Sequence, residues 1–105
     1  MEESKQLYTL GFWSVKRGKE GEFITAWESF ARWTMQNQSG TVGDAQLLQD
    51  IADQQRFISF GAWEGMERVQ EWRQRPEFKE FFIKAKELCE DIQPRTLKVV
   101  ASTVR

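Results

Sequence analysis

The chain has no histidine. That removes the imidazole base, the imidazole metal ligand and the proximal haem ligand of many haem proteins. One cysteine excludes an intrachain disulfide and suits a reducing compartment. A zinc or iron site would need carboxylates alone, and no carboxylate spacing suggests one, so no metal or other cofactor is expected. Charge of one sign is missing too. Fifteen basic and 16 acidic residues leave a net charge of -1, with no basic stripe for nucleic acid. No apolar run is long enough to span a bilayer. The segment Met1–Gln6 is polar and acidic, unlike a signal peptide. The expectation is a cytoplasmic protein with no nucleic-acid or membrane partner.

Aromatic surface, by contrast, is abundant: five Trp and eight Phe in 105 residues. A single domain of this length buries roughly two-thirds of its unfolded surface. Part of that aromatic area is therefore expected to serve a pocket or a partner surface rather than one monomeric core.

The chain is organised around Arg56–Phe78, where a β-branched and aromatic run stops at Trp63 and passes through a Gly turn into a helix. Before it, Leu7–Val15 reads as a strand with apolar groups on both faces. Phe23, Ala26, Trp27, Phe30, Ala31 and Thr34 form the stripe of a helix from Glu20 to Gln38. Asp44–Ile51 reads as a short polar strand and Gln55–Trp63 as the third strand. Gly65–Gln74 is a short helix. Pro76 opens another, expected to run to Asp91 with Cys89 and Ile92 on its apolar face. After a break at Gln93-Pro94-Arg95, Thr96–Val104 is the expected last strand.

This order is β-α-β-β-α-β with a broken second helix: an α+β, ferredoxin-like pattern with a four-stranded sheet over the single domain 1–105. Helices cover one face of such a sheet. Strands one, three and four read as apolar on both faces, so the second face calls for a cover, and a second copy is the simplest one. Strands one and three are expected to be central neighbours running parallel.

Several segments taken together resemble the antibiotic biosynthesis monooxygenase domain family. They are Lys16-Arg17-Gly18-Lys19 before Glu22-Phe23 and Trp27, then Leu47-Leu48, Arg56–Phe60, Trp63-Glu64, Trp72-Arg73 and Pro76-Glu77-Phe78. The resemblance spans nearly the whole chain. It implies a ferredoxin-like protomer with an antiparallel sheet that pairs with a partner's sheet into a dimeric α/β barrel. The family is functionally mixed: cofactor-independent oxygenases of polycyclic phenols, quinol oxygenases and haem-degrading enzymes. The haem-degrading members' Asn falls at Gly11 and their His at Phe82, while their Trp survives as Trp63. Haem degradation is therefore not expected.

The resemblance puts Gly11 and Trp63 on the side facing the helices. By alternation, Thr9, Trp13, Ser59 and Gly61 share that side. Gly11 and Gly61 clear the floor of a flat slot, Trp13 and Trp63 wall it, Trp27 and Phe30 roof it, and Phe82 closes one side. Phe23, Phe30, Phe78 and Phe81 read first as plain core, Trp27 and Phe82 read equally as core or slot, and Trp13 and Trp33 fit either the slot or a dimer interface. Trp72 reads as a structural anchor and Cys89 as a buried, unreactive thiol. For chemistry, Trp63 leads. Ser59, Thr9 or an indole N–H could donate to a phenol or carbonyl, Arg73 could reach an anion, and Glu64 could act as a base. Two readings stay open. One is a monooxygenase without cofactor acting on a small aromatic phenol or quinol. The other is a non-catalytic dimer that binds such a molecule.

Overall fold

The computed structural model describes residues 6–103, so Val104 and most of the acidic N-terminal segment lie outside the described residues. β1 (Leu7–Val15) leads through a turn at Gly18, which takes a left-handed φ of 88°, into α1 (Glu20–Asn37). Glu20 and Glu22 lie in the first turn of α1, where the helix dipole favours acids. β2 (Thr41–Gln49) and β3 (Arg56–Trp63) form a hairpin. α2 (Met66–Gln74) and α3 (Pro76–Leu88) meet at Arg75, with Pro76 on the first turn of α3. β4 (Cys89–Lys98) closes the sheet.

The sheet order is β2-β3-β1-β4, and every neighbouring pair is antiparallel. This corrects the expectation that β1 and β3 run parallel. α1 returns the chain so that β2 follows the direction of β1, and the hairpin then reverses β3. The fold is the ferredoxin-like α+β arrangement.

β4 starts earlier than its sequence pattern suggests. α3 stops at Leu88, and Cys89 is already extended (φ -118°, ψ 149°), paired with Val15. Cys89 and Ile92 therefore belong to a strand and not to a helical stripe. The Lys16 N–H donates to the Leu88 carbonyl at 2.8 Å, tying the junction to the end of β1. Pro94 sits inside β4 opposite Gly11, which is tolerated because β4 is an edge strand. The shift also changes the outer face of β4, which carries Asp91, Gln93, Arg95 and Leu97 and is not apolar throughout. β2 likewise begins at Thr41 rather than Asp44, with a bulge between Val42 and Gln46 around Gly43 (φ 67°).

The closed core occupies one end of the sheet. Trp13, Val15 and Phe57 pack there beneath Phe23 of α1 and Phe81, Ala85 and Leu88 of α3. At the other end, around Thr9 and Gly61, packing is incomplete. The opposite sheet face exposes Phe12, Val42, Leu48, Ile58 and Leu97. Among the described residues no helix is long and apolar enough to cross a membrane.

Candidate functional site

The antiparallel register gives the repeated Gly-x-Trp of β1 and β3 a particular geometry. Gly11 pairs with Ser59 and Gly61 with Thr9, so each Trp lies one inward-facing pair beyond its glycine, at opposite ends of the strand pair. Each indole leans back toward the middle. Trp13 Nε1–H donates to Ser59 Oγ at 2.9 Å, and Trp63 Nε1–H donates to Thr9 Oγ1 at 2.9 Å. A parallel pair would have put both rings at one end; here they bracket the floor.

The two glycines do different work. A Cβ on Gly11 would come within 2.6 Å of Trp13 Nε1, so the space above Gly11 is already filled by the Trp13 ring. A Cβ on Gly61 would meet only Ala45, at 3.4 Å. The open floor is therefore at Gly61 and Thr9, not over both glycines. Trp13 is held by Phe23, Phe81 and Phe82 at centroid distances of 5.1, 5.7 and 5.6 Å, on the helix side of the sheet. It faces no external surface: it is only 4% exposed.

The roof is an aromatic stack. Phe30 lies parallel to Phe81 at 4.5 Å and to Trp72 at 5.5 Å, and Trp72 touches Trp63 at 4.9 Å. Trp72 Nε1–H donates to Thr34 Oγ1 at 3.0 Å, and Thr34 in turn donates to the Phe30 carbonyl at 2.9 Å. Trp33 also stacks on Phe30, at 6.1 Å, and lies 4.8 Å from the Arg75 guanidinium. It is on α1, away from the outer sheet face.

Between floor and roof lies a cavity of about 80 Å³ with one side open. Thr9, Gly11, Trp13, Trp27, Phe30, Ser59, Gly61, Trp63, Arg73 and Phe82 all line it. Glu64 does not: its side chain is exposed and its N–H donates to the Gly40 carbonyl at 2.8 Å, which places it outside the slot. The lining also includes Thr34, Ala45, Pro94 and Arg95. Alternation could have found Ala45, and the α1 stripe contained Thr34. Pro94 and Arg95 were hidden by the late start assigned to β4.

The chemistry of the lining is one-sided. Its one ionisable side chain on the helix side is Arg73, since Arg95 borders the slot from β4 with its side chain on the outer face; no carboxylate and no thiol takes part. The slot's indole N–H groups of Trp13, Trp63 and Trp72 are each already donated to a hydroxyl, so they are not free to bind an anion. Ser59 and Thr9 are the hydroxyls that receive two of them. Each accepts an indole N–H and retains its own O–H to donate. Cys89 lies in the core, and burial pushes its thiol up to about 11.

A ferredoxin-like protomer with a half-open aromatic slot between sheet and helices is the class these features define. The chain belongs to the antibiotic biosynthesis monooxygenase family, whose model matches residues 7–83. No curated protein matches it by sequence. Among solved structures it is similar to SnoaB, a cofactor-independent oxygenase from Streptomyces nogalater. The two are 14% identical at a TM-score of 0.83, over 93% of this chain and 96% of that one. It is also similar to a conserved protein from Methanosarcina mazei Go1 (17% identity, TM-score 0.81, 90% and 92% coverage). PA3566 from Pseudomonas aeruginosa shares the fold as well (15% identity, TM-score 0.80, 96% and 100% coverage).

Proposed function

We propose that the protein is a cofactor-independent monooxygenase that oxidises a small aromatic phenol or quinol in this slot. Family membership and the likeness to SnoaB, a cofactor-independent oxygenase, support the reaction class. The observation that carries the reading is the pair of hydroxyls, Ser59 and Thr9, presented to an otherwise apolar cavity. Donors fixed in a water-poor site stabilise an ionised phenol or enol oxygen. The ionised ring supplies the electrons and dioxygen accepts them; one oxygen atom stays on the ring carbon and the other leaves as water.

Size sets a condition on this reading. An apolar cavity of about 150 Å³ holds benzene, and the slot is about half that. A ring enters by displacing rim side chains and projecting through the open side. Met35, exposed at the rim, is flexible enough to yield.

A second reading, a non-catalytic binder of the same molecules, is favoured by the lack of any acid or base in the lining other than arginine. Oxygen uptake separates the two. Hydroxynaphthoquinol- or anthrone-like compounds should give uptake that Trp63→Ala abolishes. Quenching of Trp fluorescence without uptake across such a panel would select the binder.

We also infer that the exposed apolar sheet face pairs with a second copy, and that the protein works in a reducing cytoplasm. The first rests on the side chains of Phe12, Val42, Leu48 and Ile58. The second rests on a single free cysteine.

A further inference from the structure

We propose that Arg73 anchors the guest: the slot takes an aromatic molecule bearing an oxyanion on its ring, a carboxylate or an ionised phenol. This rests on the slot being a binding site and adds the charge of what it binds.

Arg73 follows Trp72 on α2, and its half-buried side chain lines the cavity. The guanidinium donates to Thr96 Oγ1 on β4. Thr96 pairs with Thr9, and Thr9 with Gly61, so Arg73 sits over the row that forms the open floor. Three other arginines have acidic or aromatic partners: Arg56 with Asp53, Arg68 with Glu71, and Arg75 over Trp33. Among the described residues Arg73 makes no such ion pair, and Thr96 is neutral. A guanidinium carries five N–H donors in a planar fork that matches two oxygens of one carboxylate. Its hydrogen bond to Thr96 turns the head inward instead of leaving it extended into solvent.

The hydroxyls beside Arg73 agree in sign, Thr9 and Ser59 in the lining and Thr96 next to it. Thr96 accepts from Arg73 and Thr9 accepts from Trp63, so both keep an O–H to donate, as Ser59 does. Arg95 adds no charge to the slot: it pairs with outward-facing Leu10, and its guanidinium is held on the outer face by the Pro94 carbonyl and Gln93 Oε1. Donors and positive charge meet at one end of an apolar slot with no carboxylate among the lining residues. A neutral aromatic would fill the slot and leave that end unanswered. An aromatic oxyanion answers it.

Calorimetric titration of the full chain with 2-naphthoate and its neutral analogue 2-naphthamide tests this. A nitronaphthol, titrated on both sides of its own ionisation, distinguishes phenolate from carboxylate. Wild-type protein should bind naphthoate about 10- to 100-fold more tightly than naphthamide, the range for a hydrogen bond to a charged group. Arg73→Gln should bring that ratio close to one by weakening naphthoate far more than naphthamide; Arg73→Lys should restore part of it. Equal binding of the two probes to wild type, or equal weakening of both by Arg73→Gln, would overturn the anchor and leave the slot standing. Binding of neither probe would remove the slot reading and the anchor together. The wild-type ratio decides even where a variant fails to fold.

Discussion

Trp63 and Thr9 are joined by one hydrogen bond, 2.9 Å from indole Nε1 to the threonine Oγ1, between β3 and β1. The bond runs diagonally, because Trp63 is paired with Leu7 and Thr9 with Gly61. It fixes the angle of a ring that is only 2% exposed and sets one wall of the slot.

Removing that partner isolates a buried donor. Thr9→Val should destabilise the protein by about 1–3 kcal/mol, the cost of an unsatisfied buried polar group. Thr9→Ser, which keeps the oxygen, should lose less. Chemical denaturation monitored by Trp fluorescence measures both. Equal stability of Thr9→Val and wild type would mean the bond does not hold the ring.

The two floor glycines should respond differently to the same change. Gly11→Ala drives a methyl to within 2.6 Å of Trp13 Nε1 and should cost about 1–3 kcal/mol as an overpacked interior does. Gly61→Ala meets Ala45 at 3.4 Å and should be close to neutral in stability. It should nevertheless weaken an aromatic guest, because the methyl occupies the open floor. Melting curves and ligand titrations on the two variants separate packing from binding.

The outer sheet face carries its own test. Ile58 pairs with Phe12, and the two are 40% and 38% exposed at the centre of that face. Sedimentation should find wild-type protein as a dimer. Ile58→Glu would bury an unpaired carboxylate in the pairing surface and should shift it to monomer. A wild-type monomer at high concentration would remove the basis for pairing.

Cys89 should be silent in the folded protein. Its thiol is raised from 9.0 to about 11 by burial, so the reactive thiolate is scarce at neutral pH. Thiol reagents should label it only on unfolding. The sign for stability follows from linkage: the folded state holds this proton more tightly than the unfolded state. That contribution is fully present below pH 9.0 and is lost as pH rises toward 11. Cys89→Ala should remove this part of the alkaline sensitivity.

Legibility varied along the chain. Helix α1 could be read closely because its apolar stripe recurs at 3.6 residues and is packed by that same face. β3 could be read because its β-branched and aromatic run is bounded by turns. The start of β4 could not. Cys89 and Ile92 continue the helical spacing of α3, and neither Gly nor Asn marks the helix end. Pairing with Val15 and Trp13 overrides that local preference. The slot was legible as a set of residues but not as a shape. Nothing local says that the Trp13 ring lies on Gly11 while Gly61 stays uncovered.

Residue types and their spacing alone determined that this chain is rich in aromatics, lacks histidine and is built on alternating strands and helices. Those properties follow from side-chain chemistry and period, which are local. Strand direction, the diagonal indole bonds and the neutral partner of Arg73 were decided only in three dimensions. Each depends on atoms brought together by chain reversal from positions 23 to 54 residues apart, and a hydrogen bond is made or lost over less than an ångström.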